Sequence, residues 1–132
     1  MTQRVRPASR VGRRGEQVAA RYLRRRGFRV LGRNVRVGVG EADVVCLSPD
    51  GRSLVIVEVK ARTASAGSRR PESQVGRAKQ TKLLQVARAV QRRFGPRLRS
   101  AKGLRIDVVA VELKAWPRRS VIRHHEHAVR AG

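Results

Sequence analysis

The sequence predicts a mixed-sheet α/β sandwich in the order helix, three strands, helix and one or two further strands. Two stretches with apolar residues every three to four positions, near 9–26 and 73–94, supply the helices. Runs rich in Val, Leu and Ile at 28–37, 41–47, 54–62, 104–113 and 121–129 supply the strands. At 132 residues the chain has room for one core of ordinary domain size. Residues 9–132 are therefore expected to form a single domain behind a basic N-terminal arm at 1–8.

In the first helix Val11, Gly15, Val18, Ala19, Tyr22 and Leu23 share a face. Ser9 suits the N-cap and Gly27 the residue just past the end, and Arg24, Arg25 and Arg26 stand where the helix dipole favours cations. The strand from Phe28 to Val37 is interrupted at Gly32-Arg33-Asn34, which predicts a bulge, and Gly38 and Gly40 predict a turn. Ser48-Pro49-Asp50-Gly51-Arg52-Ser53 separates the next two strands and predicts a hairpin. Residues 63–72 read as a mobile basic loop and Ser73 as a helix cap. Val75, Lys79, Leu83, Val86 and Val90 then form a helical stripe that Gly95-Pro96 stops. Ile106 to Val111 lies in an apolar strand, and 121–129 reads as a last strand at an edge.

Lys and Arg total 32 against nine Asp and Glu, a formal net charge of +23. Such an excess predicts a polyanionic partner, above all nucleic acid, whose phosphates Arg and Lys neutralise with release of counterions. An Arg-rich proteome is the competing source of the same balance. DNA is favoured over RNA as partner, and no membrane partner is expected, because no segment approaches the ~20 apolar residues of a span. The single Cys46 excludes an internal disulfide framework and cannot build a zinc site by itself, which suits a reducing compartment and the cytoplasm. Arg13-Arg14 is followed by Gly15-Glu16-Gln17 rather than by the apolar core of a secretion signal. Aromatic residues make up 3% of the chain, too few for a platform on which successive bases stack.

The few acids are unevenly placed: Glu41, Asp43 and Glu58 fall in one hairpin. Two-residue alternation in 54–60 sends Leu54, Ile56, Glu58 and Lys60 to one face of their strand. With Asp50-Gly51 at the centre of the turn, Asp43 stands opposite Glu58 and Glu41 opposite Lys60. Opposed side chains of an antiparallel pair have Cβ atoms ~4.5 to 5.5 Å apart, near enough for two carboxylates to share one divalent cation. Paired carboxylates repel unless a cation, a proton or neighbouring positive groups compensate them. Magnesium (Mg2+), with manganese (Mn2+) as the alternative, suits oxygen ligands, and the chemistry expected is phosphodiester hydrolysis. There the metal polarises the phosphate and makes water more acidic, while Lys60 orients water or neutralises developing charge. The competing reading is a salt-bridge cluster decorating the sheet.

At these residues the chain resembles the YraN-like family of uncharacterised bacterial proteins. That family is a branch of the restriction-endonuclease-like PD-(D/E)xK superfamily, related to archaeal-type Holliday junction resolvases. The resemblance spans nearly the whole chain and rests on Gly12-Arg13-Arg14-Gly15-Glu16, Asn34-Val35-Arg36, Gly40-Glu41-Ala42-Asp43, Val57-Glu58-Val59-Lys60-Ala61-Arg62, Val75 with Lys79, and Arg105-Ile106-Asp107-Val108-Val109. It implies a restriction-endonuclease-like core, metal binding by Asp43, Glu58 and the Val59 carbonyl, a catalytic Lys60 and a contribution from Glu16. The residues alone leave Glu16 either turned to the sheet or solvated in the first turn. Ala42 departs from the larger aliphatic residue usual there, which bears on packing. Junction resolvases act as dimers, so a homodimer is one arrangement the resemblance allows.

The function expected is a metal-dependent nuclease acting on nucleic acid, branched or junction DNA included. The alternative is a non-catalytic nucleic-acid-binding protein with the same fold. Glu41 and Lys79 are auxiliary candidates, and Arg13, Arg14, Arg62 and Lys82 are candidate contacts to the nucleic acid. Lys79 either snorkels past the core or reaches the phosphate. Asp107 reads as a structural partner of Arg105 or another arginine rather than a catalytic acid. His124, His125 and His127 at an edge strand read as polar decoration more readily than as a metal set, with His125 and His127 on one face. Cys46 reads as a small core residue beside Ala42 and Val44, and Trp116 as a loop anchor.

Overall fold

A computed structural model describes residues 9–63, 72, 76–98, 101–115 and 118–129. The basic arm at 1–8, most of the 63–72 loop, Ser73, Val75 and Trp116 lie outside them.

Helix α1 (Arg10–Arg25) begins where Ser9 Oγ accepts the Gly12 N–H at 3.0 Å, satisfying an amide that has no partner inside the helix. It ends through Gly27 at φ +90°, a conformation open to glycine, with the Phe28 N–H returned to the Leu23 carbonyl at 2.9 Å. Strand β1 (Arg29–Val37) carries the expected irregularity, its register to β2 (Gly40–Leu47) shifting between Val30 and Gly32. The hairpin from β2 to β3 (Ser53–Thr63) has the register the Asp50-Gly51 turn implies: Val44 opposite Val57, Val45 opposite Ile56, Cys46 opposite Val55 and Leu47 opposite Leu54. Asp50 fixes that turn by accepting from the Ser48 hydroxyl at 2.6 Å and the Arg52 N–H at 3.0 Å.

Helix α2 (Arg77–Phe94) carries the chain back, so β4 (Gly103–Leu113) runs parallel to β3, as a helical crossover permits. Strand β5 (Val121–Val129) closes the far edge antiparallel to β4, and the strand order is β1-β2-β3-β4-β5. Helix α2 starts at Arg77 with Gly76 as its N-cap and no side-chain cap, later than the periodicity suggested.

Two apolar layers flank the sheet. Leu23 and Ala19 of α1 pack on Val44, Cys46, Val55, Val57, Val109 and Val111. Leu83, Val86, Ala87 and Val90 of α2 pack on Ala42, Val45, Leu54, Ile56 and Ile106. The mixed-sheet sandwich is therefore the fold, with one helix on each side. Burial of this continuous Val, Ile and Leu surface, at roughly 25 cal/mol per Å², is what holds the helices on.

One close approach sets the depth of α1. A methyl group added at Gly15 would collide with Ala61 Cβ of β3, so only glycine lets α1 sit this low on the sheet. The next residue, Glu16, is thereby pressed against the strands and is 8% exposed.

Candidate functional site

Beyond Val44 and Val57 the β2–β3 ladder stops. Where the next pair would stand, Asp43 Oδ2 accepts the Val59 N–H at 2.8 Å, so a side chain occupies the place of a backbone acceptor. Ala42 and Val45, three residues apart, both face α2, so strict alternation fails across Asp43. On the neighbouring strand Asn34, at φ +51°, marks a matching irregularity. The N–H and C=O of one strand residue leave by the same edge, so the Val59 carbonyl is turned toward the gap that Asp43 enters.

Other charged groups reach this gap from both sides of the sheet. Glu58 projects on the α2 side, with Lys60 Nζ 3.2 Å and Lys79 Nζ 3.6 Å from its Oε1. Glu16 arrives from α1, held by Arg33 at 3.9 Å, and raises the Asp43 carboxyl through its charge. Burial, then the nearby Glu58, push the Asp43 carboxyl up to about 8 against the lowering effect of the Val59 N–H. Burial pulls Lys60 down, but its hydrogen bond with Lys79 and the charge of Glu58 outweigh this and hold it above the ordinary lysine range. Lys79 is displaced the other way, because Lys60 stands beside it and burial adds to the effect.

The structure thus brings Asp43, Glu58, Lys60, Glu16 and Lys79 together and leaves other sequence candidates elsewhere. Glu41 does not meet Lys60: it pairs with Arg36 of β1, its carboxylate 3.9 Å from that guanidinium, because the ladder that would have carried it to Lys60 ends first. Arg62, expected at the nucleic acid, is engaged by Glu112 through Nε at 3.1 Å and Nη2 at 2.5 Å. Lys79 keeps the helical phase of Leu83, Val86 and Val90 but is exposed near the start of α2, where its Nζ reaches Glu58. Arg13 and Arg14 lie exposed on α1 and Lys82 exposed on α2.

The histidines diverge. His124 meets Asp107 at 2.7 Å and the Tyr22 hydroxyl at 3.1 Å, His125 meets Glu72 at 2.9 Å, and His127 sits at φ +51°, which breaks the face shared with His125. Asp107 binds Arg105, as its place in the strand suggested. Cys46 is buried with Val44 on the α1 side, while Ala42 lies across the sheet, and burial pushes the thiol up to about 12. The Glu72–Arg123–Glu112 network escapes sequence reasoning, since its members are brought together by topology and share no spacing motif.

Asp43, Glu58 and the Val59 carbonyl are hard oxygen donors, and crowded carboxylates with one acid strongly raised are what a divalent cation would relieve. Among the described residues no group of three or more His, Cys, Asp or Glu side chains is arranged to hold a metal. Among the described residues no helix is long and apolar enough to cross a membrane.

Residues 15–111 match the profile of the uncharacterised protein family UPF0102. A UPF0102 protein of Syntrophotalea carbinolica is 43% identical over 101 residues, covering 76% of this chain and 77% of the relative. One from an Arthrobacter species is 46% identical over 101 residues, covering 76% and 80%. One from Pelotomaculum thermopropionicum is 38% identical over 118 residues, covering 89% and 93%.

Proposed function

The chain belongs to the uncharacterised protein family UPF0102, and we propose that it is a metal-dependent nuclease hydrolysing phosphodiester bonds in nucleic acid, DNA favoured over RNA and branched or junction DNA included. The observation that carries this reading is the meeting of Asp43 and Glu58 where β2 and β3 part, with Lys60 beside them. Asp43, Glu58 and the Val59 carbonyl would hold Mg2+ or Mn2+, which supplies Lewis-acid polarisation of the phosphate and a more acidic water. Lys60, half-buried and paired with the Glu58 carboxylate, places a positive charge where the phosphate gains negative charge. Lys79 adds a second cation from α2. Glu16 shares the acidic edge from α1. The chain's excess of lysine and arginine, a net charge of +23, supports attraction of a polyanion.

The test is incubation of the purified chain with Mg2+ or Mn2+ and four-way junction, flapped and linear DNA. Cleavage that requires the metal and disappears in Asp43→Ala is the expected result. An inert parent on every substrate would remove the enzymatic reading.

A second reading, a non-catalytic nucleic-acid-binding protein, is favoured by one observation. Lys60 and Lys79 already pair with Glu58, so protein ammonium groups supply part of the compensation a cation would give. Steeply salt-dependent DNA binding, indifferent to Mg2+ and to Glu58→Ala, would favour it over hydrolysis.

A further inference from the structure

A cavity of about 320 Å³ opens on the α2 side of the sheet, lined by Glu72, Gln80, Val108, His125 and Ala128. Its relation to the carboxylates comes from register. Val108 is the parallel partner of Glu58, and side chains of adjacent paired strands share a face at a spacing of ~4.8 Å. From the helix side, Gln80 comes directly after Lys79, whose Nζ lies 3.6 Å from Glu58. Cavity and carboxylate site are therefore neighbouring compartments on one face of the sheet.

The lining is that of a site for a flat, polar-edged molecule. Val108 and Ala128 give apolar wall. His125 presents a flat ring, its side chain 45% exposed, of the kind on which bases stack. Gln80 carries both donors and an acceptor. Glu72 is an acceptor fixed in place: Arg123 Nε and Nη2 donate to its two oxygens at 2.7 and 2.8 Å, and His125 Nε2 lies at 2.9 Å. Arg123 is itself held by Glu112 at 2.8 Å, so the carboxylate is anchored to β4 and β5. The volume lies at the lower end of the ~300 to 1,000 Å³ of small-molecule sites, room for one nucleoside and none for a duplex.

We propose that this cavity receives the base of the nucleotide next to the phosphate bound at Asp43 and Glu58, with His125 as stacking face and Gln80 and Glu72 reading the base edge. The phosphate half of this inference rests on the nuclease reading, while the base half stands on the cavity. A base enters only if it is unpaired or flipped out of its helix, so the preferred substrates carry an unpaired nucleotide at the cleavage position, as flaps and branch points do.

The test measures binding and needs no turnover. Deoxycytidine, deoxyadenosine, deoxyguanosine and thymidine 5′-monophosphates are titrated calorimetrically into the full chain in Mg2+, beside deoxyribose 5-phosphate, which lacks the base. At least one nucleotide is expected to bind more tightly than the sugar phosphate by about fivefold or more, the effect of one stacked base. Ala128→Trp, at an exposed position of the edge strand, fills the cavity and is expected to bring nucleotide affinity down to that of deoxyribose 5-phosphate. Gln80→Ala, on the helix surface, is expected to weaken it in the same direction.

Nucleotides that bind no better than the sugar phosphate would overturn the inference, and so would nucleotide affinity that survives both substitutions. Base-dependent binding by a chain that cleaves no DNA would sink the nuclease reading and leave the pocket standing. Cleavage without base-dependent binding would sink the pocket alone.

Discussion

Asp43 and Asp107 are both withdrawn from water on the same sheet, and their neighbours have opposite charge. Asp107 is 0% exposed; it accepts from Arg105 Nε and Nη2 at 2.9 Å each and from the His127 N–H at 3.1 Å, and faces His124 Nε2 at 2.7 Å. Burial raises its carboxyl, but hydrogen bonds from His124 and Arg105 outweigh this and hold it below the ordinary aspartate range. Asp43 takes the Val59 N–H, yet it stands against Glu58 and Glu16, and its carboxyl is pushed up to about 8. The difference teaches that burial alone does not mark a working acid. An acid met by donors belongs to the scaffold, whereas an acid packed against other acids is strained until a cation or a proton arrives.

Breaking the scaffold acid has the largest expected effect. Asp107→Ala leaves Arg105 and the His127 amide without their acceptor in the interior, which costs about 3 to 5 kcal/mol of stability. Urea unfolding followed by circular dichroism measures this, and a comparable loss in Asp43→Ala would erase the contrast. Asp43→Ala is instead expected to lower metal-dependent cleavage by about 10²- to 10³-fold, the scale for removing one preorganised charge-stabilising group. Its unfolding midpoint should stay near that of the parent. Activity that survives this substitution at a parental rate would move the chemistry elsewhere.

The third effect separates position from charge. Gly15→Ala forces α1 away from Ala61, an overpacking of about 1 to 3 kcal/mol, and withdraws Glu16 from the acidic edge. Ala61→Gly in the same chain makes room for the added methyl and should restore most of both stability and cleavage. Failure of that rescue would mean that the loss does not arise from the Gly15–Ala61 approach, since helix propensity by itself favours alanine over glycine.

What the sequence discloses depends on the range of the interaction. Alternation within 54–60 is enough to set Glu58 beside Lys60, and the Asp50-Gly51 turn is enough to give the register of Val44 with Val57. The bounds of β5 come from its own apolar and polar pattern. Past Val44 the same arithmetic fails, because the Asp43 carboxylate takes the Val59 N–H and ends the ladder, so Glu41 turns to Arg36 and never reaches Lys60. No local period encodes a side chain substituting for a backbone acceptor. Arg62 meets Glu112 and His124 meets Tyr22 across separations of 50 and 102 residues, contacts created by the parallel β3–β4 pairing and by α1 crossing the sheet. Lys79 keeps helical phase with Leu83 but lies where α2 passes the charged gap, and phase cannot report what a helix faces near its start.

The smallest effect sharpens the contrast through pH. The Asp107 carboxyl is lower folded than unfolded, so its stabilisation is present above the ordinary value of 3.8 and is lost only as pH falls further toward the folded value. The Asp43 carboxyl is higher folded than unfolded, from 3.8 to about 8, so folding favours its protonated form. That stabilisation is complete below 3.8 and is lost as pH rises through about 8. Between pH 4.5 and 8.5 Asp107 therefore contributes a constant amount, while Asp43 makes the chelated protein progressively less stable. Asp43→Asn keeps an acceptor for the Val59 N–H and carries no charge, so its advantage over the parent grows across this range to about 1 kcal/mol once solvent screening of a half-buried group is allowed for. Urea unfolding of both chains in a chelator at several pH values gives the difference curve directly. A flat curve would mean that Lys60 and Lys79 already neutralise the pair, and the contrast between the two aspartates would then be one of hydrogen bonding alone.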